Sequence, residues 1–281
     1  MAYLVPFAVL GAVIPDIDVV FELLPDDNPS SYIFSHGGIT HSLAGAVVIS
    51  LIAFAAIFVL SRFMGIGGGI SENASTFVLL AIMGGAILHV LLDYLAYPGI
   101  PLLYPFSAEK MTAGIFAGPN PFLLLISLIL LVLILIKKVG NQHIIAYMVL
   151  ILVVILLSAG MKCYVSFQTD GETVPGMNPL NWTIIKEDDV SYTIQAYHLF
   201  DGVTGEKRYE KYTNITPREA SRYWDVPEVR RLRYYSYITT IEKSTDGITF
   251  CDPLRESGIF LYPTKHVTYS MPEFVEYSAG S

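Results

Sequence analysis

The chain has 281 residues, 53% of them hydrophobic and only 15% charged, with a net charge of −8. Soluble domains run at about 25% charged residues, so a wholly water-soluble protein is excluded. An acidic balance without a basic patch likewise excludes a nucleic-acid binder.

Charge is unevenly spread. Residues 1–164 hold 5 Lys and Arg and 8 Asp and Glu, against 12 and 17 in the remainder. This predicts a helical membrane domain over 1–164 and a water-soluble domain over 165–281. A membrane-crossing helix needs about 20 apolar residues. Residues 43–63, 76–97 and 143–163 meet that length, and 121–136 is shorter but very apolar, ending at Lys137-Lys138. The first apolar run, 2–14, reads as a thin span, a half-inserted helix or a signal-peptide core. The last is disfavoured because the run has no basic start and no small-residue cleavage site. The expectation is therefore a polytopic domain of about five spans. Five spans put Arg62, Lys137 and Lys138 on one side and Lys110 and Lys162 on the other. The positive-inside rule makes the first side cytoplasmic, which places the loop 15–42, the end of the third helix and the soluble domain outside the cytoplasm. Two cysteines, Cys163 and Cys251, are too few for a disulfide framework or a cysteine zinc site. Each reads as a packed or free thiol, with one bridge between them left open.

Polar clusters interrupt the oily half in chain order. Pro15-Asp16-Ile17-Asp18 follows the first apolar run. Pro15 disfavours helical geometry at Ile14, so a break is expected there. Asp16 and Asp18 then read as ligand-type carboxylates, as an exposed turn, or, for Asp18, as the cap of a helix over 19–24. His36-Gly37-Gly38-Ile39-Thr40-His41-Ser42 precedes the second span. Its glycines permit a tight loop that turns both imidazoles inward, and Thr40 or Ser42 is placed to cap the next helix. His89 and Asp93, at i and i+4, share one face of the third helix. The five-span layout brings all three clusters to one membrane face. Ionisable groups in a bilayer are costly and mark functional sites, and carboxylate plus imidazole is a ligand mixture that divalent metals use. The stretch 97–107, rich in proline and glycine yet apolar, reads as a plain connection or as a loop roofing a pocket.

Beyond residue 165 the pattern becomes β-rich. Residues 182–186, 191–199, 207–212, 233–242, 248–251 and 259–262 read as strands. Residues 217–224 read as a short helix opened by Thr216 and Pro217. Asp201-Gly202, Thr204-Gly205 and Asp246-Gly247 read as turns. The small soluble domain is thus α+β. Its one basic run, 228–235, reads as a solvated strand face or a contact for lipid phosphates.

The ordered motifs resemble the YdjM-like family of predicted membrane-bound metal-dependent hydrolases. Its members carry Pro-Asp-x-Asp, His-Arg-Gly-x-Thr-His-Ser, His-x-x-x-Asp and Gly-x-Pro-Leu-Leu-x-Pro. Residues 15–18, 36–42, 89–93 and 99–105 match them in that order, over roughly the first 110 residues. Some members also carry a C-terminal soluble domain whose opening is similar to Asn178-Pro179-Leu180-Asn181-Trp182. Gly37 departs from the family's usual arginine, and Ala96-Tyr97 from a threonine. A more distant similarity, by analogy only, is to zinc-dependent phospholipase C. The resemblance implies a metal-dependent hydrolase. One or two divalent ions, Zn²⁺ or Mn²⁺, are expected on ligands drawn from Asp18, His41, His89 and Asp93, with Asp16 and His36 as the reacting side chains. A membrane-face site suits a lipid or lipid-linked phosphoester, with membrane lipids as partners. Two other readings stay open: a non-enzymatic membrane protein with a structural ion and a partner-binding soluble domain, and a metal or proton transporter. The transporter reading is weakened because polar groups gather at one depth.

Overall fold

The computed structural model describes residues 4–23, 33–34, 36–63, 72–118, 120–136, 140–259 and 268–271. The chain divides into two compact units, Met1–Ala113 and Gly114–Ser281. The compositional change near residue 164 falls inside a helix of the second unit.

In the first unit, α1 (Val5–Val13) passes into a 3-10 stretch over Ile14–Leu23. Pro15 supplies no backbone N–H for continued α-helical bonding, so the chain tightens rather than reversing direction. A 3-10 turn (Ile39–His41) leads into α2 (Leu43–Phe63), and α3 (Glu72–Leu95) follows. Ser42 caps α2: its Oγ accepts from the Gly45 N–H at 2.8 Å and donates to the Ile39 carbonyl at 2.8 Å. A Cβ on Gly45 would lie 1.9 Å from that carbonyl oxygen, so only glycine lets the histidine-bearing turn close on the helix.

Small residues hold the three helices together. A Cβ on Gly11 would fall 2.0 Å from the Ile82 carbonyl oxygen, and one on Gly85 would fall 2.1 Å from that of Ala8. The α1 and α3 backbones therefore touch. Ala53 of α2 buries against Val78 and Ile82 of α3; nearer the polar end, Ala46 buries against Ala86, Val90 and Ile100. Ile100 belongs to the proline-rich loop, whose Leu102 carbonyl accepts from the Leu43 N–H at 3.1 Å. The loop is thus a plug between the ends of α2 and α3. Elsewhere α2 and α3 turn large apolar side chains outward, among them Val48, Ile52, Phe58, Leu80 and Leu88, as lipid-facing helices must.

The second unit opens with α4 (Pro121–Leu135), capped by Asn120, and α5 (Asn141–Gln168). Among the described residues, three helices are long and apolar enough to cross a membrane: Leu43–Phe63, Ala74–Leu95 and Asn141–Gln168. The other two apolar helices, α1 and α4, fall short of that length. The nine residues of α1 reach about 13 Å at 1.5 Å per residue, against a hydrocarbon core about 30 Å thick. The fifteen residues of α4 are also short.

After α5 come two four-stranded sheets. The first is an antiparallel meander of β1 (Glu172–Pro175), β2 (Asn181–Glu187), β3 (Ser191–His198) and β4 (Gly202–Glu210). The second contains β5 (Tyr212–Thr213), β6 (Thr240–Ser244), β7 (Gly247–Cys251) and β8 (Thr268–Met271), with β5 parallel to β6 and the other pairs antiparallel. Its core of Phe250, Ile241 and Ile248 packs on Val229 and Leu232. Those two belong to α7 (Pro227–Tyr235), which follows the short α6 (Pro217–Ala220); α8 (Pro253–Glu256) comes after β7. Of the strand expected over 233–242, only 240–242 is strand. Pro227 at the first helical position and the i, i+3 pair Val229/Leu232 make 227–235 helical, with Arg230, Arg231 and Arg233 off the buried stripe. Arg230 pairs with Asp225 at 3.0 Å and Arg233 lies 4.5 Å over the Trp224 ring. Thr204-Gly205 lies within β4 rather than forming a turn. Of the strand expected over 259–262, residues 260–262 fall outside the described residues, and Ile259 is not in a strand. Neither Cys163 nor Cys251 forms a disulfide.

Candidate metal centre

All six ligand-type residues singled out in the sequence meet at one end of the first unit. Asp16 and Asp18 come from the 3-10 stretch, His36 and His41 from the turns before α2, and His89 and Asp93 from α3. Four atoms lie close together here. Asp16 Oδ1 lies 3.2 Å from His41 Nε2 and 3.3 Å from His89 Nε2. Asp93 Oδ2 lies 3.4 and 3.2 Å from the same two nitrogens, which are 3.3 Å apart.

The tautomers follow from the partners at the other ring nitrogens. A carbonyl only accepts, so His89 Nδ1–H donates to the Ala12 carbonyl at 2.7 Å. His41 Nδ1–H likewise faces the Asp18 carboxylate, 3.1 Å from Oδ2. In the neutral rings both Nε2 lone pairs then point at the space the two carboxylates share. Four acceptor atoms with no donor between them repel one another unless positive charge sits there, as protons or as a metal. Asp93 Oδ2 and the two Nε2 atoms have the spacing of ligands to one ion, and Asp16 Oδ1 stands beside both nitrogens. The donor set therefore fits a divalent cation in its chemistry.

The other residues form a supporting layer. Asp18 is 1% exposed and so is His41. Asp18 accepts from Thr40 Oγ1 at 2.5 Å, faces His41 Nδ1 and accepts from His36 Nδ1 at 2.9 Å. One buried carboxylate thus orients two imidazoles, a pattern common behind metal-bound histidines. His36 stands edge-on to His41, with ring centroids 5.1 Å apart, and is more exposed. Asp16 and Asp93, at 45% and 38% exposure, form the open side.

The electrostatics agree. Burial pushes the Asp16 carboxyl up, but hydrogen bonds and charge from His41 and His89 outweigh it and hold the group well below the usual carboxylate range. Asp18 is likewise raised by burial and lowered more by His36, His41 and Thr40, to about 2. Burial opposes charge on His41, yet Asp16, Asp18 and Asp93 raise it to about 9. The hydrogen bond to Asp18 raises His36. The pocket attracts positive charge, and a metal would take the place of the protons.

Two groupings have ligand spacing: Asp16/His36/His41 and His41/His89/Asp93. Both draw on His41, whose Nδ1 is engaged by Asp18, so its one remaining nitrogen serves a single ion. The sequence offered Thr40 only as a helix cap, whereas its hydroxyl holds Asp18. It gave no signal at all for the Ala12 carbonyl.

The sequence profile described as YdjM inner membrane protein matches residues 2–165. No curated protein and no solved structure matches the chain. With more than half its length matched, and with the polar motifs of that region gathered at one helical end, the chain belongs to the YdjM inner membrane protein family.

Proposed function

We propose that the protein is a membrane-bound metal-dependent hydrolase acting on a lipid or lipid-linked phosphoester at the membrane face. The observation that carries this reading is the convergence of His41 Nε2, His89 Nε2, Asp16 Oδ1 and Asp93 Oδ2 within 3.2–3.4 Å of one another in the pairs given above. Zn²⁺ suits the mixed imidazole and carboxylate donors, with Mn²⁺ the alternative. Such an ion would polarise the scissile group and lower the pKa of bound water toward about 7.

The chain's own residues supply the rest. We exchange the roles first expected of the two N-terminal aspartates. Asp16, half-exposed and facing both Nε2 atoms, serves as a ligand beside Asp93, His41 and His89. Asp18, buried, positions His41 and His36. His36 is then a base held by a carboxylate at Nδ1, with Nε2 left to take a proton from water or return it to a leaving group. The partly exposed Asp16–Asp93 side is where a phosphoester would approach.

The test uses purified full-length protein and a panel of phosphoesters, lipid-linked ones included. His36→Ala should lower turnover about 10²- to 10⁴-fold while metal content stays at the wild-type level. If that variant loses metal in parallel, or if wild type hydrolyses nothing in a broad screen, the centre is a structural ion site and the hydrolase reading fails.

We also propose that this site and the β-rich part lie outside the cytoplasm, with α4 crossing the bilayer despite its length. The support is the excess of Arg62, Lys137 and Lys138 over Lys110 and Lys162. A reporter active only in the cytoplasm, fused after Ser281, should be silent; a strong signal would invert the assignment.

A further inference from the structure

The first sheet does not simply follow α5; it folds back along it. β1 begins four residues after the last residue of α5 and runs back beside it. Met161 and Val165 of α5 pack against Trp182, Ile184, Tyr197 and Leu199 of the sheet. Two turns therefore point back along the helix. One is residues 176–180, between β1 and β2; the other is residues 199–201, between β3 and β4. Pairing of Pro175 with Trp182 and of Asn181 with His198 puts them side by side, and the Leu199 N–H donates to the Leu180 carbonyl at 2.8 Å.

Among the described residues this end of the sheet exposes two large apolar side chains, beside Asp201, which pairs with His198 at 2.6 Å. Met177 is 45% exposed and Phe200 77%. The opposite end, between β2 and β3, carries Glu187, Asp188 and Asp189. Helix α5 fixes the level. Its 28 residues rise about 42 Å, longer than a hydrocarbon core of about 30 Å. Lys162, beside Met161, marks headgroup depth, because a lysine on a spanning helix sends its charge to the interface. Phe167, exposed on the last turn, adds an interfacial aromatic ring.

We propose that the turn end of this sheet is set into the lipid leaflet beside α5, with Phe200 and Met177 as its anchors. The occupant of the apolar tip is lipid because the tip is continuous with a helix that lipid already surrounds. This inference is independent of the metal centre and of any catalytic activity. An insertion of this kind reaches about 5–10 Å into the headgroup and acyl boundary. It holds the β-rich part as a surface-bound plate, acidic rim outward, rather than as a tethered globule.

Phe200→Trp in the full-length chain, reconstituted in phosphatidylcholine vesicles with and without brominated acyl chains, reads the depth directly. Wild type supplies the background from Trp182 and Trp224, and Val190→Trp at the acidic end is the control. The added Phe200→Trp emission should be blue-shifted and lost in brominated vesicles, while that of Val190→Trp persists there and is quenched by aqueous acrylamide. Met177→Trp should repeat the result and stands in should Phe200→Trp fail to fold. Acrylamide quenching of Phe200→Trp equal to that of Val190→Trp would overturn the proposal. So would shielding from both quenchers, which would mean that protein covers the tip.

Discussion

His41→Ala is expected to strip the protein of stoichiometric metal, and Asp18→Asn to weaken binding without abolishing it. His41 Nε2 lies 3.2–3.4 Å from Asp16, His89 and Asp93, so its loss removes a corner shared by every ligand grouping described. Asp18 touches only the rear of the imidazoles. Loss of such an outer partner costs about 10- to 100-fold in affinity. Chelator competition on the purified proteins, followed by elemental analysis, separates the two. If Asp18→Asn were the more damaging change, Asp18 would be the ligand and the layered arrangement would be wrong.

The second large effect lies away from the ligands. Gly85→Leu should lower metal affinity and stability together. A Cβ at Gly85 would sit 2.1 Å from the Ala8 oxygen and 2.7 Å from the Ala12 nitrogen, where ordinary contact begins at 3.4 Å. Helix α1 must then move off α3 by more than an ångström. That shift draws the Ala12 carbonyl from His89 Nδ1 and carries the 3-10 stretch bearing Asp16 with it. Overpacking of this kind costs about 1–3 kcal/mol, and the broken outer-layer bond adds about 10- to 100-fold in metal affinity. Gly84→Ala is the matched control. Nothing lies within 4 Å of its added Cβ, so metal content should hold and melting temperature should stay level or rise. A Gly84 variant as damaged as the Gly85 variant would show the helix, and not the α1–α3 contact, to be responsible.

The legibility of this molecule follows the range of its interactions. The six ligand-type residues could be picked out because charge in an apolar segment is conspicuous at any range. Their meeting at one end followed from alternating helices. Which carboxylate faces the ligand point was illegible, because Asp16 and Asp18 differ only in how a 3-10 turn sets them against distant rings. The lengths of the two short apolar helices were not legible, because apolar composition alone does not reveal that α1 has nine residues. In the β-rich part, strands with alternating β-branched residues were readable. Residues 227–235 were not, because Tyr234 and Tyr235 favour strands, whereas the buried Val229 and Leu232 that decide the matter mean something only at helical period.

Asp18 serves two imidazoles at once, His36 at 2.9 Å and His41 at 3.1 Å, and on the proposed roles that sharing links two events in a catalytic cycle. When His36 takes up a proton, it draws the Asp18 charge toward itself. His41 would then receive less electron donation from behind, at the stage when an ion held by its Nε2 would be asked to supply Lewis acidity to the substrate. When the proton leaves, the Asp18 carboxylate would be shared again between His36 and His41. A single buried aspartate would make the base and the electrophile keep step with each other.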